Sequence, residues 1–492
     1  MQHRERRGRG RWLKTASALA AFGLLAAACG GDDESDSGAA DVTPEDEAPA
    51  GDADPAGDDD SAEEPAEDAD SDVAADRSIN VAIVGNPIID DIAALAPEHF
   101  TAETGIEVNF TVLPEQELRE ITTRDVGAGG DQFDVVQIGM YETPQFGANG
   151  WLVGMNDLAA STPEYEIDDL IPAVRNGLSV DGELYASPFY AESSFLMYRE
   201  DVMEENGITM PEAPTWQEVA DIARQIDSDE MAGICLRGKP GWGDLGASFT
   251  TVLNTFGGTW WAANDDGSIG EAQIDQPEFA EALNFYVDLV NDAGEDDAAN
   301  SSFTECLSLY QEGKVAMWYD ATVAASILEG ADSPVAGLNN FALAPVKETD
   351  ASGWLWAWTF AIPVSTTDQE AAWEFISWAT GPGYIELAAE ELPGGWAAVP
   401  PGTRQSTYDN PNYQEAAGNF ATKTLDAMLA APIDNPGTTP RPGLPGVQYV
   451  GVPEFQDTGT RCTELFSAAI AGSMSVDDAL SDCQTIASEA SS

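Results

Sequence analysis

Ser78-Ile-Asn-Val-Ala-Ile-Val-Gly85 is the stretch on which the fold turns. Its β-branched residues read as a strand. A helical pattern follows over 88–104, a second strand over 106–113, a helix from Glu115, and a third strand over 133–138. The β-α-β-α-β order predicts an open, mostly parallel sheet with covering helices. Ligands of such sheets sit beyond the carboxyl ends of the strands. Those ends carry Asn86 and Gly139-Met-Tyr-Glu142, so Asn86, Tyr141 and Glu142 are candidate site residues.

A second set of elements begins with a strand at 195–199 and a helix at 215–226, introduced by Pro214-Thr215. A strand at 233–236, helices at 246–256 and 278–293, and strands at 314–319 and 354–363 continue it, followed by a helix at 368–380. The terminal part is helical over 413–428 and 463–490, around a Pro/Gly-rich loop at 432–453. A loop that long in a compact domain is expected to pack against the body near the functional site. No internal repeat is visible.

Charge narrows the function classes. Among 492 residues, 87 acidic side chains face 20 basic ones, a formal charge of -67. Such an excess repels phosphate backbones and anionic lipid headgroups, which excludes nucleic acid as a partner. Two histidines, His3 and His99, leave no multi-histidine metal site. Any enzyme here would have to work with carboxylates. The length allows two or three domains.

Residues 1–28 carry six basic side chains ahead of an apolar run too short to span a bilayer, the pattern of a signal peptide. Its end, Leu24-Leu-Ala-Ala-Ala-Cys29-Gly30, resembles a bacterial lipoprotein cleavage box, which makes Cys29 the lipidated first residue of an exported protein anchored to the outer face of the cell membrane. The other reading is a soluble secreted protein with a free Cys29. Residues 30–76 hold 20 acidic and no basic or aromatic residues; such a stretch cannot bury enough apolar surface to offset its ordering entropy and reads as a disordered tether. The tether is assigned to 29–77. Residues 77–492 keep a net charge of -52, read as a hydrated surface. Four cysteines remain, an even number that favours disulfides in an exported chain. Cys462 with Cys483, 21 residues apart, leaves Cys235 with Cys306.

Several blocks then point one way. Phe133-Asp-Val-Val-Gln-Ile-Gly-Met-Tyr-Glu142, Tyr190-Ala-Glu-Ser-Ser194, Gly233-Ile-Cys-Leu-Arg-Gly-Lys-Pro-Gly-Trp-Gly243, Met317-Trp-Tyr-Asp-Ala-Thr-Val-Ala-Ala325 and Trp354-Leu-Trp-Ala-Trp358 resemble the extracellular solute-binding proteins of ATP-binding-cassette sugar importers. Gly394-Gly-Trp-Ala-Ala-Val-Pro-Pro-Gly402 and Met474-Ser-Val-Asp-Asp-Ala-Leu480 are similar to the sorbitol and mannitol binding branch. The resemblance covers about residues 79–487. It implies a two-lobed α/β clamshell of the periplasmic-binding-protein type, each lobe a mostly parallel sheet covered by helices. The expected lobes are 78–191 with 360–398 and 192–359 with 399–492, crossed near 190–194, 356–360 and 396–402. The implied partner is a membrane permease, the chain acting as a monomer without a cofactor.

The residue inventory suits a polyol, which needs acceptors and donors for its hydroxyls and aromatic faces for its C–H edge. Glu192 lies in the first crossing. Asp320 ends an apolar strand, either facing the cleft or capping the helix after it. Arg237 and Lys239 are basic residues in a chain with few, and Trp242 follows on the same loop. Trp354, Trp356 and Trp358 alternate on one face, with core packing the competing use and Trp356 at the crossing. Trp396 sits in a glycine-flanked loop and is expected to stack on the ligand.

Two other classes stay in view. A glycoside hydrolase would need two carboxyls about 5–9 Å apart, for which Glu192 and Asp320 could be proposed, and a surface adhesin would bind no small molecule tightly. Gly241-Trp-Gly-Asp-Leu-Gly246 matches a dinucleotide fingerprint but follows Pro240 and opens no βαβ unit.

Overall fold

The computed structural model describes residues 77–492. The signal peptide, Cys29 and the tether up to residue 76 lie outside the described residues. Two sheets organise the chain. In the first, the strands run in the order Ile106–Leu113, Arg77–Val84, Val135–Gly139, Trp356–Ala361 and Ser187–Glu192. Ile79, Val81, Ala82, Ile83 and Val84 are all buried, because helices cover both faces of this sheet. Arg77–Val84 pairs in parallel with Ile106–Leu113 along its whole length and with Val135–Gly139 through Val81 and Ala82. Trp356–Ala361 runs antiparallel to both of its neighbours, with Trp358 opposite Gly139 and Trp356 opposite Glu192.

The second sheet corrects an expectation. Ser194–Arg199 lies between Met317–Ala321 and Asn339–Leu343 and is antiparallel to both. The cause is where strands begin. A strand that starts at the crossing runs away from the cleft, whereas the strands of βα units run towards it. In the first sheet this reverses one strand of five; in the second it reverses the central strand of three, so neither pairing is parallel. The strand expected at 233–236 makes only single bridges, from Ala232 to Val315 and from Cys235 to Trp318.

Local chemistry places the helices. Asn86 Oδ1 accepts from Ile89 N at 3.1 Å and opens Pro87–Ala96. Thr215 and Glu218 form a capping box on Trp216–Ile226, whose Trp216, Val219, Ala220 and Ala223 face the core.

Glu192-Ser193-Ser194 joins the last strand of the first sheet to the central strand of the second, and Trp354-Leu355-Trp356 leads into the first sheet again. The segment expected to form the third passage, 396–402, has its contacts beside the first sheet. Ala191 N donates to Pro401 O at 2.9 Å and Ile171 N to Thr403 O at 2.8 Å. Arg404, fully buried, donates to Thr380 O at 2.8 Å and lies over the Tyr165 ring. These contacts hold 399–404 on the first lobe. Further on, Phe420, whose ring meets Phe341, and Lys423, whose Nζ donates to Phe341 O at 2.6 Å, contact the second sheet.

The loop at 432–453 packs as its length demanded. Asn254 Nδ2 donates to Val447 O at 2.6 Å, Gln448 Nε2 to Leu355 O at 3.2 Å, and Tyr141 Oη to Val452 O at 2.7 Å. Both expected disulfides are present. They enclose sequence separations of 71 and 21 residues, so in the chain-entropy account the longer loop restricts the unfolded chain more, by about 1 kcal/mol. Urea unfolding of the two Cys→Ala pairs is expected to show the larger loss for Cys235/Cys306.

Candidate functional site

The carboxyl ends of the first sheet's strands and the loops of the second lobe enclose a cavity of about 330 Å³. Asn86, Leu113 and Glu115 contribute from the first lobe, Tyr190 and Glu192 from the crossing strand, and Arg237, Lys239 and Asp244 from the second. Ser302, Phe303 and Trp358 complete its lining. Glu115, Glu192, Arg237 and Trp358 also border a smaller chamber of about 40 Å³, walled by Trp242, Trp354, Trp356 and Gln448.

Two arginines hold this region together. Arg237 makes a two-pronged contact with Asp320, 2.8 Å from Nε and 2.7 Å from Nη2, and Nη1 donates to Gly243 O at 3.0 Å. Asp320 is fully buried and also accepts from Trp318 Nε1 at 3.1 Å and Ala321 N at 2.7 Å. Its oxygens are therefore committed to positioning Arg237. Arg119, in the helix Glu115–Ala128, donates to Glu115 at 2.8 Å and to Glu142. Its guanidinium stands 4.2 Å from the Trp242 ring centre, 4.7 Å from Trp358 and 5.0 Å from Trp356. Trp242 comes from the second lobe, so this cation–π cluster spans the cleft.

Carboxylates exceed cations here. Burial pushes the Glu192 carboxyl well above the usual range; nearby Arg237 opposes the shift, while Asp320 and Glu115 reinforce it. Glu192 Oε2 is buried without a hydrogen-bond partner. Burial, helped by the Glu115 charge, likewise pushes Asp244 up to about 7, against the pull of Arg237. Gly243 lets the two lobes meet at this point, since a Cβ there would collide with Glu115 Oε1 and Arg119 Nε.

Of the residues singled out in the sequence, Asn86, Glu192, Arg237 and Lys239 line the larger cavity, and Trp242 and Trp356 join Glu192 around the smaller one. Asp320 and Glu142 sit one layer behind, each holding an arginine. Tyr141 is a packing residue, its ring 4.6 Å from that of Trp242 and its hydroxyl spent on Val452 O. Trp396 borders neither chamber. Its short turn, Gly395–Ala397, packs between the helices Pro382–Glu391 and Pro411–Ala416, which half-bury the indole. Glu115, Arg119, Tyr190 and Asp244 escaped the sequence reading. Glu115 and Arg119 stand one turn apart at the start of the helix Glu115–Ala128, a spacing that looks like an ordinary surface pair in the sequence.

Residues 86–386 match the model of the bacterial extracellular solute-binding protein family. The chain belongs to that family. This solute-binding protein is 40% identical to the mannitol-binding protein of Pseudomonas aeruginosa, over 83% of this chain and 91% of the relative. It is 24% identical to the erythritol/L-threitol-binding protein of Mycolicibacterium smegmatis, over 84% of this chain and 85% of the relative. A solved solute-binding protein of an ABC transporter from Agrobacterium vitis, with bound D-mannitol, superposes with a TM-score of 0.80 at 44% identity, covering 84% of this chain and 98% of that one. The solute-binding protein is thus an exported, two-lobed ligand carrier of an ABC transporter and not an enzyme, which leaves the hydrolase and adhesin readings unsupported. Among the described residues no helix is long and apolar enough to cross a membrane.

The Asp244 shift has a testable sign. An acid whose folded pKa lies above its unfolded value of about 3.9 stabilises the fold least once pH has risen through the folded value. Asp244→Asn is therefore expected to melt higher than the parent by a margin that widens from pH 4 to pH 8, measured by calorimetry across that range.

Proposed function

We propose that this solute-binding protein captures a sugar alcohol of the mannitol or sorbitol kind between its lobes and delivers it to the permease of an ABC importer. The observation that carries the reading is the cavity itself. Carboxylates that accept, arginine, lysine and amide groups that donate, and an indole in the lining match a chain of hydroxyls with one C–H edge. An anionic ligand would add its charge to Glu115, Glu192 and Asp244, so a neutral guest is favoured. The named ligands of the relatives agree with this choice.

Glu192 takes hydroxyl hydrogens, Arg237 and Lys239 donate to hydroxyl oxygens, and Asn86 contributes an amide from the opposite wall. Ligand hydroxyls are satisfied from both lobes only when the cleft is shut, so binding shifts the population towards closure. The lobes divide at the crossings near 192 and 355, with the segment after 398 staying on the first lobe. The protein works as a monomer, and Cys29 carries a lipid that holds it at the outer face of the membrane, with residues 30–76 as the tether.

Thermal denaturation with sorbitol, mannitol, arabitol, xylitol, maltose and simple hexoses tests this reading. At a hundredfold excess of ligand over Kd the linkage is worth about 2.7 kcal/mol, so a hexitol raises Tm by several degrees and maltose leaves it unchanged. Glu192→Ala abolishes the rise, and Trp396→Ala leaves hexitol affinity within about twofold. A chain whose melting no alditol alters is not a polyol receptor.

A further inference from the structure

Four residues that border the 40 Å³ chamber each carry a buried polar atom without a hydrogen-bond partner. Trp242 Nε1 and Trp354 Nε1 are donors, Glu192 Oε2 and Gln448 Oε1 are acceptors, and none has a hydrogen-bond partner. Their residues are between 1% and 5% exposed, so open solvent does not satisfy them, and an unpaired buried polar group costs about 1–3 kcal/mol. The arginines beside the chamber are already partly committed, Arg237 to Asp320 and Gly243 and Arg119 to Glu115 and Glu142. At about 40 Å³, against about 330 Å³ for the larger cavity, the chamber takes only a small part of any ligand that enters both. Donors and acceptors both border it, which suits the hydroxyl of a terminal hydroxymethyl group.

Resting on the polyol reading above, we infer that the chamber is an end-socket, which takes one primary hydroxymethyl terminus of an open-chain alditol while the remaining carbons lie in the 330 Å³ cavity. A hydroxyl has one hydrogen to give and two lone pairs to share. In the socket it donates to Glu192 or Gln448 and accepts from the two indole N–H groups. The acceptor left over takes the hydroxyl of the next carbon. The Trp356 and Trp358 rings, packed at 84° to each other, cover the C–H bonds. Arg119 already occupies the indole faces, so a terminal ammonium would meet a guanidinium and is refused. Selection at the terminus follows from the socket's unpaired groups.

The symmetry of mannitol supplies the test, because its two ends are equivalent and either can enter first. Isothermal calorimetry of the intact protein compares D-mannitol, 1-deoxy-D-mannitol and 1,6-dideoxy-D-mannitol. The singly deoxygenated ligand presents its intact end and is expected to bind about twofold more weakly, the statistical loss of one orientation. The doubly deoxygenated ligand leaves the socket unpaired and is expected to bind roughly ten- to hundredfold more weakly. Trp354→Phe, which keeps a ring but removes Nε1, narrows the gap between mannitol and the dideoxy compound. A dideoxy compound that binds within twofold of mannitol would mean that the chamber holds a resident water, and overturns the inference. So does a monodeoxy compound as weak as the dideoxy one, since both ends would then be gripped alike. Failure to bind D-mannitol at all is a different result: it sinks the polyol reading itself.

Discussion

The Arg119 guanidinium is the contact on which the architecture of the cleft depends. A cation this buried is tolerable only if it is paired and hydrogen-bonded. Its Nε, Nη1 and Nη2 each donate to Glu115 or Glu142, and the indoles of Trp242, Trp356 and Trp358 stand around the guanidinium. Those five residues come from two helices of the first lobe, the returning strand and a loop of the second lobe. Desolvation strengthens the charge pairing in the same step that brings the loop of Trp242 into place, so the arginine links lobe approach to the removal of water. Gly243 belongs to this linkage, because any side chain there would keep the loop from Glu115.

Arg237 plays the complementary part from the other side. Its bidentate partner Asp320 stands at the cleft end of a strand whose neighbour, Ser194–Arg199, leaves the crossing in the opposite direction. The antiparallel second sheet therefore has a functional consequence: it sets the first residues of the crossing strand beside the last residues of Met317–Ala321, and so brings Glu192 and Asp320 into one electrostatic neighbourhood. With Asp320 committed to Arg237, Glu192 is left to face the cavity. One carboxylate positions a donor while the other is available as an acceptor, a division set by hydrogen-bond supply and not by residue type.

The first lobe was the more readable in the sequence. Ser78–Gly85 declares itself because a strand buried on both faces must be apolar at nearly every position, and the strand-end rule then locates Asn86 without further information. Glu192, Arg237 and Trp356 were found through their place at crossings or their rarity in an acidic chain. Glu115 and Arg119 were hidden by their ordinary look, since acid and base four residues apart is the commonest pattern on a solvated helix; only tertiary contact with Trp242 makes them a cleft pair. Trp396 shows the reverse error. An indole in a glycine-flanked turn looks exposed along the sequence, yet two helices distant by few residues fold over it. The direction of the second sheet was hidden for a third reason, because helix and strand periodicities carry no information on which strand begins at a hinge.

The acidic surface and the cleft also answer to different constraints. A net charge of -52 on residues 77–492 produces a field that repels anions and concentrates cations around the molecule. A neutral polyol feels almost none of it, so its encounter rate is insensitive to surface charge and to ionic strength. Inside the cleft the sign of the excess is the same, but its use differs: ionised or protonated, a buried carboxyl oxygen offers an acceptor that water can no longer satisfy once the lobes meet. On the polyol reading the surface can therefore remain heavily charged without degrading selection, because the contacts that select lie where water has been removed, among buried donors and acceptors without partners of their own.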